Sequence, residues 1–149
     1  MRIAFCTWKF PALANTFILN EIVEVAKRGH DVRVVSIDRP DEAVAHPDLE
    51  RYGLLERTRF LEDYLPAGAT PEGPLARYAE DWLGPKVRAL RPVARELRRE
   101  GVQLVHGCFM NNSATVAMVV ARLGDEVDGD GGDDRGRWSG AHDPGGATR

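Results

Sequence analysis

No stretch of this chain approaches the roughly 20 consecutive apolar residues that a membrane-spanning helix requires. Nor does it open like a secretory leader. Met1 to Thr7 is short and runs straight into a charged, patterned segment. Cysteine is scarce: only Cys6 and Cys108 occur, far apart and without metal-ligand spacing. Both are expected as reduced thiols in a cytoplasmic protein. A net charge of −3 gives no electrostatic case for nucleic acid. No Gly-x-Gly-x-x-Gly or P-loop pattern appears, and no Ser/His/Asp set has recognisable spacing. From Asp125 to Arg149 aliphatic residues all but vanish, Val127 being the only Val, Leu, Ile or Met. A Gly-, Asp- and Arg-rich segment of this kind cannot bury enough surface to offset the entropy of ordering. Residues 125–149 are therefore expected to be a disordered tail. So abrupt a switch suggests a changed reading frame, or another truncation artefact, in the gene of a longer protein.

What precedes the tail is ordinary. The 149 residues are 43% hydrophobic and 29% charged, as in a soluble globular protein, and residues 1–124 suffice for one domain with a core.

The best-specified stretch comes first. Ile3 to Thr7 reads as a strand, Trp8 to Ala14 as a loop and Val32 to Ile37 as a second strand. Between them Phe17, Ile18, Ile22, Val25 and Ala26 recur at helical spacing and give one apolar stripe. Asn15 or Thr16 stands where a side chain caps the helix start. Glu21 and Glu24 come early, Lys27 and Arg28 late, which suits the helix dipole. Gly29 is placed for a left-handed C-terminal cap. This is a βαβ unit with parallel strands and a right-handed crossover. In such sheets ligands bind at the carboxyl ends of the strands, so Trp8 to Ala14 is the first place to look for function.

Farther along, Leu49 to Leu55 has weak helical character, and Thr58 to Leu61 reads as a short strand. Pro66 to Pro74 reads as a loop. Leu75 to Leu83 reads as a helix with Leu75, Tyr78, Ala79 and Trp82 on one side, broken by Gly84-Pro85. Lys86 to Glu100 is a further helix, which Pro92 should kink or split. Its arginines, at 88, 91, 95, 98 and 99, read as a solvated face, with an anion site as the competing reading. Gly101 ends it. Val102 to His106 is a strand, Gly107 to Phe109 a turn, and Ala114 to Leu123 a helix started by Asn111, Asn112 or Ser113. This repeats the strand–loop–helix form of the first unit. The fold expected is α/β, a Rossmann-like doubly wound parallel sheet.

Two such units aim backbone N–H groups at one cleft, a setting that favours anions. Lys9 could reach a diphosphate there or be a solvated loop lysine. Asn15 and Thr16 are caps or ligand contacts. Glu21 lines the cleft or serves the dipole as a first-turn carboxylate. His106 is a polar group at a strand's carboxyl end, or a hydrogen-bonded structural histidine.

Lys9, Phe10, Pro11, Leu13, Thr16, Phe17, Ile18, Glu21, Ile22, Gly29, His30 and Val32 together resemble the start of GT-B glycosyltransferases of the family-4 (group 1) kind, especially those of bacterial exopolysaccharide assembly. Ala14-Asn15 stands where that family has Ser-Glu. His46-Pro47, with Thr58 to Leu61, resembles its Ala-His-Pro-like segment and the short strand after it. His106-Gly107-Cys108-Phe109, followed by Ala121-Arg122-Leu123-Gly124, resembles its His-Ala-His-Phe-like turn and the helix after it.

The resemblance implies one incomplete half of a GT-B fold, covering residues 1–124. It implies sugar transfer from a nucleotide-sugar to a glycan or lipid-linked acceptor, with no metal and no tightly bound cofactor. Acceptor or anion contacts then fall to Lys9, Pro11, Asn15, Thr16, Glu21 and His106, and no catalytic residue is assigned. The donor-binding C-terminal domain would be missing and the chain inactive alone. Such an enzyme works in the cytoplasm, with peripheral attachment to the inner face of the plasma membrane also open. His142-Asp143 is similar to a catalytic loop of the family but has no strand before it. The alternatives are a stand-alone acceptor- or anion-binding module and a non-functional fragment.

Overall fold

The computed structural model describes residues 1–67, 72–109 and 112–127. Four strands, β1 (Arg2–Lys9), β2 (Asp31–Asp38), β3 (Thr58–Phe60) and β4 (Leu104–Gly107), form one parallel sheet in the order β3-β2-β1-β4. β1 is central, with Phe5 opposite Val34 on one side and His106 on the other. Both strand–loop–helix units therefore open onto the same rim, the carboxyl ends of β1 and β4. The Rossmann-like α/β fold expected from the sequence is the fold observed.

Alternation along the strands divides the core in two. Ile3, Phe5, Val32 and Val34 pack with Ile18, Leu19, Ile22 and Val23 of α1 (Thr16–Lys27) and with Leu49 of α2 (Pro47–Arg51). Ala4, Cys6, Val35 and Ile37 belong to the opposite cluster. That cluster includes α3 (Pro74–Leu83), α4 (Leu90–Arg99) and α5 (Asn112–Val127).

Several local expectations are corrected. Neither Asn15 nor Thr16 caps α1 through its side chain, because the helix is entered from a 3-10 turn, Leu13–Asn15, in which the Asn15 N–H donates to the Ala12 carbonyl at 3.0 Å. Phe17 is not in the buried stripe. It is 52% exposed, since the stripe is formed by Ile18, Leu19, Ile22 and Val23, and Phe17 falls on its flank. Glu21 lies in the second turn, not the first. The other end of α1 is as expected: Gly29 takes φ +84°, and the N–H groups of Gly29 and His30 reach the Ala26 and Val25 carbonyls.

α2 is capped by a side chain that sequence reasoning missed. His46 Nδ1 accepts from the Asp48 N–H at 3.2 Å, with Pro47 at the first helical position. The proline-rich stretch before α3 is only partly loop. Leu61–Ala67 is a 3-10 turn that includes Pro66, Pro74 opens α3, and residues 68–71 lie outside the described set. Tyr78 and Trp82 point outward, 52% and 58% exposed, because the buried face of α3 carries Ala76, Ala79 and Leu83. Gly84-Pro85 ends the α-helix, but the chain continues as a 3-10 turn, Gly84–Ala89, before α4. The split expected from Pro92 falls at Ala89–Leu90 instead. Pro92 sits in the first turn of α4, where its missing N–H leaves no helical bond unmade.

β4 starts and ends slightly later than expected, and α5 runs on through Gly124 to Val127. The boundary expected at Asp125 is thus helical in its first three residues. Asn111 and residues 128–149, with His142 and Asp143, lie outside the described residues.

Toward the amino ends of the strands the charges are tied together. Glu100, at the end of α4, is shared by Arg33 of β2 and Arg59 of β3. Arg59 also binds Glu96 at 2.6 Å, as does the Tyr64 hydroxyl. Asp31 takes Arg2 at 2.6 Å, Arg33 at 2.6 Å and Arg57 at 2.8 Å. Of the arginine series near α4, Arg88, Arg95 and Arg99 are exposed, which suits the solvated-face reading.

Candidate functional site

β1 leaves the sheet through Lys9-Phe10-Pro11, with a cis peptide between Phe10 and Pro11. The buried Phe10 anchors this turn. Its N–H donates to Ser36 Oγ at 3.0 Å, and Ser36 Oγ donates to the Asp38 carbonyl at 2.6 Å. β2 thereby holds the first loop in place. Beyond the anchor is a surface pocket of about 250 Å³, lined in part by Trp8, Lys9, Pro11, Asn15, Asp41 and Val44. Lys9 Nζ is 2.5 Å from a carboxylate oxygen of Asp41, whose side chain is largely exposed. An exposed pair of this kind contributes at most about 1 kcal/mol, so an arriving anion could compete for the ammonium.

Three of the six residues singled out from sequence, Lys9, Pro11 and Asn15, thus meet at one pocket. Glu21 and His106 meet elsewhere on the rim. His106 Nε2 stands 3.4 Å from Glu21 Oε1, and the imidazole sits edge-on to Phe5 with ring centroids 5.2 Å apart. Thr16, exposed at the head of α1, is not among the residues lining the pocket.

The neighbourhood of Glu21 is also visible in Cys108. Burial first, and the Glu21 carboxylate second, push that thiol up to about 12. Burial pushes Cys6 up further still, with Cys108 adding to the effect. Both cysteines are free and buried, and the upward shift disfavours the thiolate that a nucleophilic role would need.

Sequence reasoning missed the aromatic part of this rim. Phe109, 43% exposed, meets Phe17 edge-to-face with centroids 5.4 Å apart. Its backbone φ of +152° is a conformation that non-glycine residues seldom adopt. Trp8 and Leu13 add exposed apolar surface on the β1 side. The preceding Gly107 has a steric reason: a Cβ there would lie 2.7 Å from Ala114 Cα in α5. Thr7, near the end of β1, is fully buried, and its hydroxyl has no hydrogen-bond partner among the described residues. Phe17 was assigned to the core by its period, and Phe109 carried no local signal beyond its place in the turn.

Comparison with curated proteins gives matches to part of the chain. A 77-residue stretch is 36% identical to the Salmonella typhimurium protein named as the colanic acid biosynthesis glycosyltransferase WcaL, covering 52% of this chain and 18% of that protein. The Escherichia coli protein of the same name is 33% identical over 63 residues, 42% of this chain and 16% of that one. The amylovoran biosynthesis glycosyltransferase AmsK of Erwinia amylovora is 31% identical over 61 residues, 41% of this chain and 15% of that protein. The similarity is to bacterial exopolysaccharide glycosyltransferases. The chain spans less than a fifth of the length of each of these relatives. No family model matches it, and no solved structure does.

Among the described residues, no group of three or more His, Cys, Asp or Glu side chains could hold a metal ion. No described helix is long and apolar enough to cross a membrane.

Proposed function

We propose that residues 1–127 are the acceptor-side, Rossmann-like half of a GT-B glycosyltransferase of exopolysaccharide biosynthesis. The reaction would move a sugar from a nucleotide-sugar to a glycan or lipid-linked acceptor in the cytoplasm, beside the inner face of the plasma membrane. One observation carries this reading. β1 and β4 pair in parallel, Cys6 opposite Gly107, so both loops open on one rim. A rim so built on rigid strands suits the holding of a ligand. The partial identity to three exopolysaccharide glycosyltransferases supports the same reading.

In this arrangement Lys9, Pro11 and Asn15 face the polar or anionic part of the acceptor, while Glu21 and His106 meet its hydroxyls. The donor nucleotide would be gripped by a second Rossmann-like half, which the described residues do not contain. The purified chain is therefore expected to show neither transfer nor hydrolysis when incubated with a panel of nucleotide-sugars and assayed for nucleoside diphosphate release. Clear turnover would overturn the assignment to an acceptor-side half.

A further inference from the structure

Two elements of the rim each carry one phenylalanine and one titratable side chain. α1 presents Phe17 and, one turn on, Glu21, on one helix face. β4 and its turn present His106 and Phe109. The two pairs meet across the gap, ring to ring at 5.4 Å and carboxylate to imidazole at 3.4 Å. All four side chains remain accessible. Phe17 and Phe109 are 52% and 43% exposed, and the side chains of Glu21 and His106 are 47% and 44% exposed.

Folding does not account for this arrangement. A backbone conformation like that of Phe109 costs about 1–3 kcal/mol, and a ring left 43% exposed returns only part of what full burial would. The Glu21–His106 contact is long and exposed, a geometry that contributes little to stability.

We infer that Phe17, Glu21, His106 and Phe109 form a subsite for one pyranose ring of a carbohydrate ligand. The inference rests on the acceptor-side reading above and names the chemistry of its recognition. A pyranose has an apolar face of C–H bonds and an edge of hydroxyls. With the two rings at 75° to each other, the face of one phenyl matches the C–H face and the other ring walls its side. The carboxylate, which only accepts, and the imidazole, which can donate and accept, match a pair of neighbouring hydroxyls. A carboxylate at the centre disfavours the alternative of an anionic lipid surface.

The test is a ¹H–¹⁵N NMR titration of the full chain with methyl glycosides of glucose, galactose and fucose, with acyclic sorbitol as control. Saturable shifts are expected at Glu21, His106 and Phe109 with a Kd of ~1–10 mM, and none with sorbitol. Phe17→Ala, Phe109→Ala and Glu21→Gln should each weaken binding by about fivefold or more. Thermal melting should stay a single cooperative transition in all three, which shows that the fold is retained. Tyr78→Ala, on α3 against the opposite sheet face, should bind as the parent does.

Absence of saturable shifts up to ~100 mM glycoside, an equal response to sorbitol, or full affinity in the Phe17→Ala, Phe109→Ala double variant would overturn the subsite. So would flotation with phosphatidylglycerol vesicles that Phe109→Ala abolishes, since that assigns the rim to lipid. Shifts confined to the Lys9 pocket would remove this subsite and leave the acceptor-side reading standing. Turnover by the isolated chain would do the reverse.

Discussion

The two ends of the sheet are built on opposite terms. At the amino ends, Glu100, Glu96 and Asp31 are bound by four arginines and a tyrosine, and the Arg33 and Arg59 side chains are only 15% and 19% exposed. At the carboxyl ends of β1 and β4, large apolar rings lie in water and a buried threonine hydroxyl has no described partner. One pairing there is long, and one backbone is strained. Polar groups at the first end are satisfied from within the fold. At the second, Lys9 finds the exposed Asp41, while the Glu21–His106 pair and the exposed rings stay open to a ligand. Stability and function therefore separate along the strand direction, and substitutions at the two ends should behave differently.

The largest effect is expected from Glu100→Ala. It leaves Arg33 and Arg59, both mostly buried, without their shared carboxylate. Loss of one partner in such a network should cost about 2–4 kcal/mol in urea unfolding. A cost under ~0.5 kcal/mol would mean that the amino end is no better tied than an ordinary surface.

Acid should act on the same end. Burial pushes the Glu100 and Asp31 carboxyls upward. Hydrogen bonds from Arg33 to each, with Arg59 on Glu100 and Arg2 on Asp31, outweigh it and hold both below their usual values. A depressed folded pKa gives stability that is fully present above the unfolded value. It is lost as pH falls through the folded one. The urea midpoint should therefore drop below about pH 4, where unfolded carboxyls begin to protonate. In Glu100→Ala that drop should be shallower.

The smallest effect is expected at the carboxyl end. Thr7→Val removes a buried hydroxyl that has no described partner and should raise stability by about 0.5–1 kcal/mol. A loss of more than ~1 kcal/mol would show that the hydroxyl is satisfied and that the contrast between the ends is overstated.

Much of the scaffold was legible because local signals agreed with the global answer. The apolar strands flanking α1, with Gly29 at its end, fix a parallel pair, and Gly101 marks the return to β4. Periodicity could not show which apolar positions lack a covering element. Phe17, Tyr78 and Trp82 therefore read as core and are exposed. The shared carboxylate of Glu100 was invisible for a different reason: Arg33 and Arg59 come from strands far from α4 in sequence, and only the sheet brings them together. Of the candidate site, Lys9, Pro11 and Asn15 were found through their loop. Glu21 and His106 were each named alone, because nothing local announces a contact between the second turn of one helix and the end of a distant strand.

Gly107 has a mechanical consequence. Where it passes Ala114, strand and helix touch through bare main chain, with no flexible side chain between them to absorb displacement. The last residues of β4 and the head of α5 must then move as one lever. A push on α5 is delivered undamped to the imidazole and phenyl groups on either side of that glycine. Their backbone anchors follow the head of α5, while the exposed side chains keep their own rotamer freedom.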